Sequence, residues 1–418
     1  MKITYLHQYF NTPDMSGGTR SYEMAQRLVA MGHEVNMITS WREADGRTDW
    51  FETNEAGINV HWVPVPYSNY MRSGERMWAF LKFAIASARK AASLQADIVF
   101  ATSTPLTIAL PAVYTSYRRK VPMVFEVRDL WPEMPIAMGV LKNPLQIKVA
   151  RALEVWAYRH AEAIVALSPG MKQGVVRTDY SPTRVAVIPN SSDNWEFAYN
   201  PQASREFRAA RPWLGDRPLL IYAGTFGRVN GVSYAVDLAK ELLALNSDIR
   251  ILLVGDGAMQ EATIQKSDEA GVYERNLFFE TKMAKREIPT LFSAATIAST
   301  LFIDLPEMRV NSANKFFDAL AAGKPIFLNH GGWMHELVIQ HDCGIAAWSR
   351  PINEVARELD ERLHDLAWLE KAGAAAKRLA ERFFDRNLLA QQLEQVLVAA
   401  VDRKPETVEK IAPGVYVA

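Results

Sequence analysis

Two turns in this 418-residue chain combine glycines with the start of a helical pattern, an arrangement that can hold a phosphate. Gly17 and Gly18 precede "TRSYEMAQRLVAMG", and the stretch "YAGTFGRVNGVSYAVDLAKEL" begins at Tyr222 and contains Gly224 and Arg228. Glycine lets the backbone approach a ligand closely, and N–H groups at a helix N-terminus attract an anion. Arg228 can neutralise a phosphate oxygen. A glycine turn that only redirects the chain is the alternative interpretation of each stretch.

A third turn follows the next apolar run, in "LLVGDGAMQEATI". Gly255, Asp256 and Gly257 place few side-chain atoms in the way, so the backbone here can contact a base or a ribose. A simple strand-to-helix turn is the alternative. The turn at Gly224 departs from G-x-G-x-x-G, and the chain has no paired G-x-x-x-x-G-K-[ST], so the sequence does not indicate a P-loop ATPase.

A cation and a carboxylate stand close together in "NKFFDALAAGKPI". Lys315 and Asp318 are three residues apart, and on a helix they share a face. A cation for a phosphate and a carboxylate for ribose hydroxyls would suit a nucleotide. An exposed ion pair that contributes little to stability is the alternative.

Acid–base chemistry is indicated by "VFEVRDLWPEMP", where an apolar run ends at Arg128 and Asp129, with Glu133 one helical turn later. Asp129 is the candidate for positioning or deprotonating a hydroxyl group. Arg128 could grip a phosphate of the molecule that carries this hydroxyl, and a salt bridge between Arg128 and Asp129 at the strand end is the alternative. His7 ends the first apolar run and is expected to face the same region, where a structural role is the simpler interpretation.

Composition excludes several classes of protein. The 47 basic and 47 acidic residues cancel, so the net charge provides no general attraction for nucleic acid. A single cysteine, Cys343, excludes an intrachain disulfide and a cysteine-rich metal site. The first residues are too polar for a signal peptide, and no run of about 18 apolar residues predicts a membrane span. We therefore expect a cytoplasmic protein.

Strand and helix patterns alternate along the chain and restart at "PLLIYAG", which predicts two doubly wound α/β domains. The polar, turn-rich stretch "PNSSDNWEFAYNPQAS" is the expected linker. We place the first domain at 1–195, joined by a C-terminal helix at about 387–418, and the second at 196–386. Ligands of open parallel sheets bind beyond the carboxyl ends of the strands, so a cleft between the two domains is the expected site.

The stretches "GTFGRVNG", "VGDG" and "NKFFDALAAGKPI", with "SGGTRSYEMAQRLVAMGHEVNMIT", resemble the two-domain family-four glycosyltransferases of the GT-B fold. The stretch "FEVRDLWPE" together with "NKFFDALAAGKP" is most similar to bacterial O-antigen and capsule enzymes, in particular N-acetyl-L-fucosamine transferases. The resemblance implies a UDP-sugar donor bound by the second domain and an acceptor bound by the first. It implies no metal and no cofactor, and the chain has no H-x-H, D-x-D or C-x-x-C cluster at a strand end.

The family's functional residues can be carried over only where the motifs match. The resemblance places Gly17 and Gly18 near the diphosphate, Arg228 on a phosphate, Gly255 to Gly257 at the nucleoside and Asp318 on the ribose diol. Two positions depart from the family pattern. Asn230 stands where a lysine is common, a loss that Lys315 would compensate, and Val310 stands where a glutamate is common eight residues before Asp318.

Acceptors of this class are often sugars linked to a lipid diphosphate, which predicts a contact with the inner membrane face. The stretch "NYMRSGERMWAFLKFAIASARKAAS" carries apolar residues at helical spacing and many basic residues, as interfacial helices do. The stretch "LKNPLQIKVARALEVWAYRH" is a second candidate. A helix that covers a sheet, with its Lys and Arg stems lying over apolar surface, is the alternative for both.

The sequence thus predicts a metal-independent hexosyltransferase-type glycosyltransferase of O-antigen or capsule synthesis. A UDP-sugar epimerase on the same fold is one alternative, since it would act on a UDP-sugar without an acceptor. A non-catalytic nucleotide-binding partner of a polysaccharide synthase is another, which the residues at Asn230 and Val310 leave open. Fold similarity alone does not identify a substrate.

Overall fold

The computed structural model describes residues 1–15, 17–68 and 71–414. The chain folds into two compact units, the first formed by Met1–Pro189 with Asn387–Gly414 and the second by Asn190–Arg386. Ser16 of the first glycine stretch, Asn69 and Tyr70 of the predicted basic helix, and residues 415–418 of the predicted C-terminal helix lie outside the described residues.

The second unit begins before the predicted boundary at residue 195. Asn190 donates its side-chain N–H to the Ser312 carbonyl over 2.5 Å, and Arg386 donates to the Ser191 carbonyl over 2.7 Å. Arg386 also pairs with Asp193. These contacts attach the start of the polar stretch to the second unit, so it is a packed part of that unit rather than a free linker.

Within the described residues, the strands of the first unit form one eight-stranded sheet. They are Lys2–Leu6 (β1), Glu34–Trp41 (β2), Phe51–Glu55 (β3), Ile58–Pro64 (β4), Ile98–Thr102 (β5), Met123–Val127 (β6), Ala163–Ala166 (β7) and Val185–Val187 (β8). Their spatial order is β3-β4-β2-β1-β5-β6-β7-β8, and only β3 runs antiparallel to its neighbour. The near-continuous apolar runs of the central strands suit a parallel sheet that is covered on both faces.

The second unit has a six-stranded parallel sheet within the described residues. Its strands are Leu219–Ala223 (β9), Arg250–Val254 (β10), Leu277–Glu280 (β11), Ile297–Thr300 (β12), Ile326–Leu328 (β13) and Gly344–Ala346 (β14). Their order is β11-β10-β9-β12-β13-β14. The carboxyl ends of β10, β9, β12 and β13 therefore lie side by side at one edge of this sheet.

The helices of the described chain follow the strands, and many begin directly after a strand end. They are, in chain order, Arg20–Ala30 (α1), Ser73–Ser93 (α2), Ala109–Arg119 (α3), Glu133–Ala137 (α4), Pro144–His160 (α5), Pro169–Val176 (α6), Pro201–Ala209 (α7), Tyr234–Ala244 (α8), Gln260–Glu269 (α9), Ile288–Ala294 (α10), Asn314–Ala321 (α11), Trp333–His341 (α12), Ile352–His364 (α13), Leu366–Phe383 (α14), Arg386–Val401 (α15) and Val408–Ile411 (α16). In α1, Met24, Ala25 and Leu28 recur at helical spacing and are buried, which packs this helix on its sheet.

Three elements differ from the sequence-based expectations. The single terminal helix predicted for 387–418 ends at Val401, and α16 is a separate short helix. Strand β3 was not predicted because "FETNE" is polar and lies at the sheet edge with alternating exposure. Strand β14, "GIA", was not predicted because it is short and has a single β-branched residue, Ile345.

A buried ion pair joins three elements of the first unit. Arg20, at the start of α1, donates to Glu126 of β6 over 2.9 Å and to the Ile188 carbonyl after β8 over 2.9 Å. Thr102 of β5 donates to the other oxygen of Glu126 over 2.6 Å. Burial opposes ionisation of Glu126, but Arg20, Arg128 and Thr102 outweigh it and hold its pKa below the usual value.

We predict that Arg20→Met strongly destabilises the first unit, because it leaves the Glu126 carboxylate buried without its ion-pair partner. Breaking a buried pair costs about 3–5 kcal/mol, which corresponds to a fall in melting temperature of roughly 6–20 °C. Thermal unfolding of the full chain measures the change. The control is Arg177→Met, since no hydrogen bond from the Arg177 side chain to another described residue is present. Equal melting temperatures for the two variants would contradict the prediction.

Candidate functional site

The turns after β9 and β10 contact each other at the carboxyl edge of the second-unit sheet. Gly224 donates its N–H to the Val254 carbonyl over 2.9 Å, which extends the parallel pairing of the two strands. Phe226 then donates its N–H to the Asp256 carbonyl over 2.7 Å. The two glycine turns that the sequence singled out are thus one structure, held by backbone hydrogen bonds.

Close approach explains the glycines in the second of these turns. A Cβ atom at Gly255 would lie 1.9 Å from the Gly224 carbonyl oxygen, and the backbone of Gly255 has a φ of +150°. A Cβ at Gly257 would lie 2.8 Å from the Phe226 carbonyl oxygen. No side chain fits in either place, so these positions keep a surface of bare backbone at the edge.

Arg228 lies in a 3-10 turn, Arg228–Asn230, between β9 and α8. Its side chain is exposed and forms no hydrogen bond or ion pair with another residue in the described part of the chain. Helix α8 begins only at Tyr234, so the helix does not follow the strand directly. The geometry leaves the Arg228 guanidinium available to an anion that approaches this turn.

Lys315 projects from the first turn of α11 onto the end of β9. Its Nζ donates to the Tyr222 hydroxyl over 2.9 Å and lies 4.0 Å from the centre of the Tyr222 ring. A Cβ at Gly224 would lie 2.9 Å from Nζ, so the glycine makes room for the amine. Burial lowers the pKa of Lys315 to about 7, and the charge of Asp318 opposes this shift.

Asp318 lies one turn later on α11, and its carboxylate accepts a hydrogen bond from the Ser192 hydroxyl. Burial raises the pKa of Asp318, while the hydrogen bond from Ser192 and the charge of Lys285 act in the opposite direction. Lys315 and Asp318 do not reach ion-pair distance, so the ion pair considered from the sequence does not form between these two described residues. Asp256 instead pairs with Lys282, 3.3 Å away on the surface.

Sequence reasoning missed three residues that lie near Lys315, Asp318 or the carboxyl ends of β9 and β13. Ser192 stood in the predicted linker, and Tyr222 was taken only as part of a strand. His330 follows β13 in "LNHGGW", and the rule that ligands meet strand ends would have found it. Its Nε2 is buried with no partner among the described residues, its ring lies 4.8 Å from the Phe302 ring, and burial lowers its pKa to about 4.

The first unit carries the other predicted residues. Gly17 and Gly18 lie just before α1, and the Asn11 side chain donates to the Gly18 carbonyl over 3.2 Å, which holds this loop beside the end of β1. Gly17 has a φ of +124°, a backbone conformation that favours glycine.

Asp129 and Arg128 follow β6, as predicted, but they do not pair with each other. Asp129 accepts a hydrogen bond from the Thr104 hydroxyl over 3.0 Å, and burial raises its pKa. Arg128 instead contacts His7, whose Nε2 lies 3.3 Å from the Arg128 Nη1. The expectation that His7 faces this region is confirmed. Glu133 begins α4, and its Oε1 lies 3.8 Å from the Nε atom of Arg151.

Metal-ligand clusters and membrane spans are both absent from the residues described by the structure. No three His, Cys, Asp or Glu side chains in 1–15, 17–68 and 71–414 are grouped so that they could hold a metal ion. Over the same residues, no helix has the length and apolar character needed to cross a membrane.

We predict that Gly255→Ala disrupts the joined turns, because its Cβ would meet the Gly224 carbonyl, and with them the nucleotide binding that the sequence predicts here. Gly271→Ala is the matched control, since Gly271 also has a positive φ, +68°, but its nearest neighbour is 3.9 Å away. Backbone strain is present in both variants and is larger at Gly255, because its φ of +150° lies outside the left-handed region that Gly271 occupies. Binding of UDP by calorimetry should be lost only in Gly255→Ala. Equal binding by the two variants would show that the close approach is not required.

Comparison with known protein families gives matches in both units. The family model of the glycosyl transferase 4-like domain matches residues 17–191, and that of glycosyl transferases group 1 matches residues 203–379. Among curated proteins, a glycogen synthase of Mycobacterium tuberculosis is 25% identical over 72% of this chain and 69% of its own length. The "Probable glycosyltransferase WbjE" of Pseudomonas aeruginosa is 22% identical over 63% of this chain and 66% of its own length.

Solved structures are similar over nearly the whole chain. HepE from Anabaena in complex with UDP has a TM-score of 0.71 and 17% identity, over 96% of this chain and 100% of that protein. WaaG, a glycosyltransferase involved in lipopolysaccharide biosynthesis, has a TM-score of 0.68 and 15% identity, over 94% of this chain and 99% of its own. These likenesses confirm the predicted fold of two α/β domains with parallel sheets, the GT-B fold.

Proposed function

We propose that this chain, which is a glycosyltransferase of the GT-B type, moves a sugar from a UDP-sugar to a lipid-linked saccharide in O-antigen or capsule synthesis. The observation that carries the donor part is the cluster of Lys315, Asp318 and the glycine turns at one edge of the second-unit sheet. It combines an amine without an ion-pair partner among the described residues, a carboxylate, and bare backbone.

The three parts of the UDP moiety each have a suitable partner at this edge of the sheet. The Lys315 amine and the Arg228 guanidinium suit the diphosphate, the Asp318 carboxylate suits the ribose hydroxyls, and the backbone from Gly255 to Gly257 suits the nucleoside. UDP is the proposed nucleotide because structures of HepE contain UDP and UDP-glucose. The donor is a substrate, and we propose that no metal or cofactor takes part.

Transfer breaks the bond between the anomeric carbon and the diphosphate, so negative charge grows on the leaving phosphate. Fixed positive charge at that position stabilises the transition state, and Arg228 would supply it. Lys315, whose pKa burial lowers to about 7, would be held in its protonated form by the bound diphosphate. The acceptor hydroxyl loses a proton, for which Asp129 is the proposed base or positioning group. Because burial raises the pKa of Asp129, this carboxyl is a better base than an exposed aspartate.

The proposed sugar is an N-acetylated deoxyhexosamine such as N-acetyl-L-fucosamine, which makes the reaction a hexosyl transfer. The support is the resemblance of "FEVRDLWPE" and "NKFFDALAAGKP" to O-antigen and capsule enzymes. Relatives named for surface polysaccharides agree with this class. One is a colanic acid biosynthesis glycosyl transferase of Escherichia coli, WcaI, which is 20% identical over 67% of this chain and 72% of its own length.

Helix α2 supports a peripheral contact with the inner membrane face. Its buried face, which includes Ala79 and Phe83, covers the sheet as the alternative interpretation expected. The helix also has an exposed apolar surface, formed by Met77, Trp78, Leu81 and Ile85. An exposed apolar surface with basic neighbours suits an anionic lipid surface.

Helix α5, the second candidate, exposes Leu145 and Val149. Its other side is buried and includes Ala150 and Ala157. Like α2, it therefore has apolar residues on both faces, and we assign it to the same membrane contact.

We predict that UDP raises the melting temperature of the wild-type chain, because a ligand that binds only the folded state stabilises it. At a concentration 100 times its Kd, the gain is about 2.7 kcal/mol. A thermal-shift panel with UDP, GDP, CDP and ADP should show the rise with UDP. Lys315→Met and Asp318→Ala should abolish it, whereas Lys266→Met, an exposed change on α9, should retain it.

The alternatives give different results in the same assay and its extension with UDP-sugars. Release of UDP only when a lipid-linked saccharide is added supports the transferase. Isomerised or hydrolysed UDP-sugar without an acceptor would instead indicate an epimerase. A wild-type chain that binds none of the four nucleotides would contradict the proposed donor site. Nucleotide binding without turnover of any UDP-sugar would favour the non-catalytic nucleotide-binding partner.

We also predict that Trp78→Ser and Ile85→Ser weaken binding to anionic liposomes. Trp78 is 66% exposed and Ile85 57% exposed, so their loss removes apolar contact with lipid and leaves the core intact. Each substitution should reduce partitioning at least about tenfold, since a large apolar side chain contributes about 1.5–3 kcal/mol on burial. Trp195→Ser, at a 76% exposed tryptophan of the second unit, is the control in co-sedimentation. No wild-type binding at low salt would exclude the membrane contact.

A further inference from the structure

The first unit contains a group of arginines that the proposed chemistry does not use. Arg42 follows β2, Arg76 lies on α2 and Arg128 follows β6. We call these three residues and His7, which follows β1, the arginine cluster. Strands β2, β1, β5 and β6 are neighbours in the sheet, so the cluster lies at their common carboxyl edge, where ligands of such sheets bind.

The contacts of His7 show that it is a hydrogen-bond donor without an acceptor. Arg128 can only donate, so the His7 Nε2, 3.3 Å from its Nη1, must accept. The single proton of the neutral ring is then on Nδ1. This atom is buried and has no partner among the described residues, in a side chain that is 3% exposed. A buried donor of this kind is usually satisfied, so it calls for an acceptor from outside the chain.

The charges around His7 are not balanced within the unit. The Arg128 Nη1 lies 3.3 Å from the His7 Nε2, and burial and then the charges of Arg128 and Arg42 lower the pKa of His7. The charge of Arg128 lowers the pKa of Asp129, and the charge of Glu43 raises the pKa of Arg42. Neither carboxyl reaches ion-pair distance of its arginine, and Asp129 is instead hydrogen-bonded to Thr104. The neighbouring Arg20, by contrast, is fully matched by Glu126.

An aromatic group joins the cluster to α2. The Arg42 guanidinium lies 5.9 Å from the centre of the Tyr9 ring, and Tyr9 lies 5.0 Å from Tyr67. Tyr67 is stacked at 5.9 Å on Phe80 of α2. The charge of Arg76, from the same helix, also acts on the Tyr9 hydroxyl. The cluster is thus continuous with α2, the helix that also exposes Trp78 and Ile85.

We propose that the arginine cluster binds a phosphate group of a lipid-linked acceptor, with the lipid chain directed toward α2. Three guanidinium groups and the Nδ1–H of His7 are all donors, and three of them carry positive charge, which suits phosphate oxygens better than a neutral sugar. The exposed apolar residues of α2 favour a phosphate that carries a hydrocarbon chain over a free anion. This inference rests on the proposed function, because it identifies the group by which that function's acceptor is held.

The backbone conformation of Thr104 also indicates a functional site at this edge. Thr104 has a φ of +80°, a conformation that is unfavourable for a β-branched residue, and its hydroxyl donates to Asp129. Strained backbone of this kind persists where the surrounding structure requires it, and it is concentrated at functional sites. The proposed base and the proposed phosphate subsite are thus connected through Arg128, which contacts His7 and is the chain neighbour of Asp129.

The test uses farnesyl diphosphate, a soluble lipid diphosphate, and the full chain saturated with UDP so that the donor site is filled. Calorimetry should show binding to the wild type, and Arg42→Met, Arg76→Met and Arg128→Met should each weaken it at least tenfold. Arg177→Met is the control and should bind as the wild type does. Melting temperatures identify any variant that fails to fold, and the partly exposed Arg76 is the position at which the change is best tolerated.

Inorganic pyrophosphate and farnesol are the two comparison ligands. We expect farnesyl diphosphate to bind at least tenfold more tightly than either. Equal binding of pyrophosphate would overturn the lipid-linked assignment, and equal binding of farnesol would overturn the anion subsite. If all three arginine variants bind farnesyl diphosphate as tightly as the wild type does, the anion subsite is also overturned. The UDP-induced shift in melting temperature, recorded on the same samples, separates a failure of this inference from a failure of the proposed donor site.

Discussion

No side chain fits at Gly255, and the candidate donor site depends on that steric restriction. The Gly224 carbonyl oxygen occupies the place of a Cβ, 1.9 Å from where that atom would be, so the turns after β9 and β10 are in backbone contact. The same edge has no side chain at Gly224, which leaves room for the Lys315 amine on the Tyr222 ring. The Lys315 amine, which we propose for the diphosphate, thus comes from α11 and lies beside the turn after β9.

Charge is used in two different ways in this protein, as an internal ion pair and as a cation without a carboxylate partner in the described part of the chain. In the first unit, Arg20 and Glu126 neutralise each other in the interior and join α1 to the sheet, a structural use of charge. Arg128, two residues beyond Glu126, has no carboxylate in ion-pair contact among the described residues and meets a neutral histidine. In the second unit, Lys315 likewise meets a hydroxyl and a ring rather than a carboxylate. Unmatched cations at strand ends are costly for stability and useful for anionic substrates.

Much of the fold could be predicted from local patterns. Apolar runs separated by helical spacing identified most strands, and the restart at "PLLIYAG" identified the second sheet. Two edge strands were missed, because β14 has a single β-branched residue and the residues of β3 are mostly polar. The glycine turns, Lys315, Arg128 and Asp129 were found because each directly follows a strand or opens a helix, and Asp318 because it lies one turn after Lys315.

The sequence by itself determined the fold class, the strand ends and the types of residue found there, because periodicity and turn chemistry are local properties. Only the tertiary structure decided which of these residues touch. His7 and Arg128 are 121 positions apart, and Ser192 and Asp318 are 126 apart, so their contacts depend on the order of strands in the sheets. The same packing leaves Lys315 in contact with the Tyr222 hydroxyl rather than with a carboxylate. It also places Asp129 within hydrogen-bond distance of Thr104 instead of pairing it with Arg128. Pairing across such distances follows from packing, which no short stretch of sequence encodes.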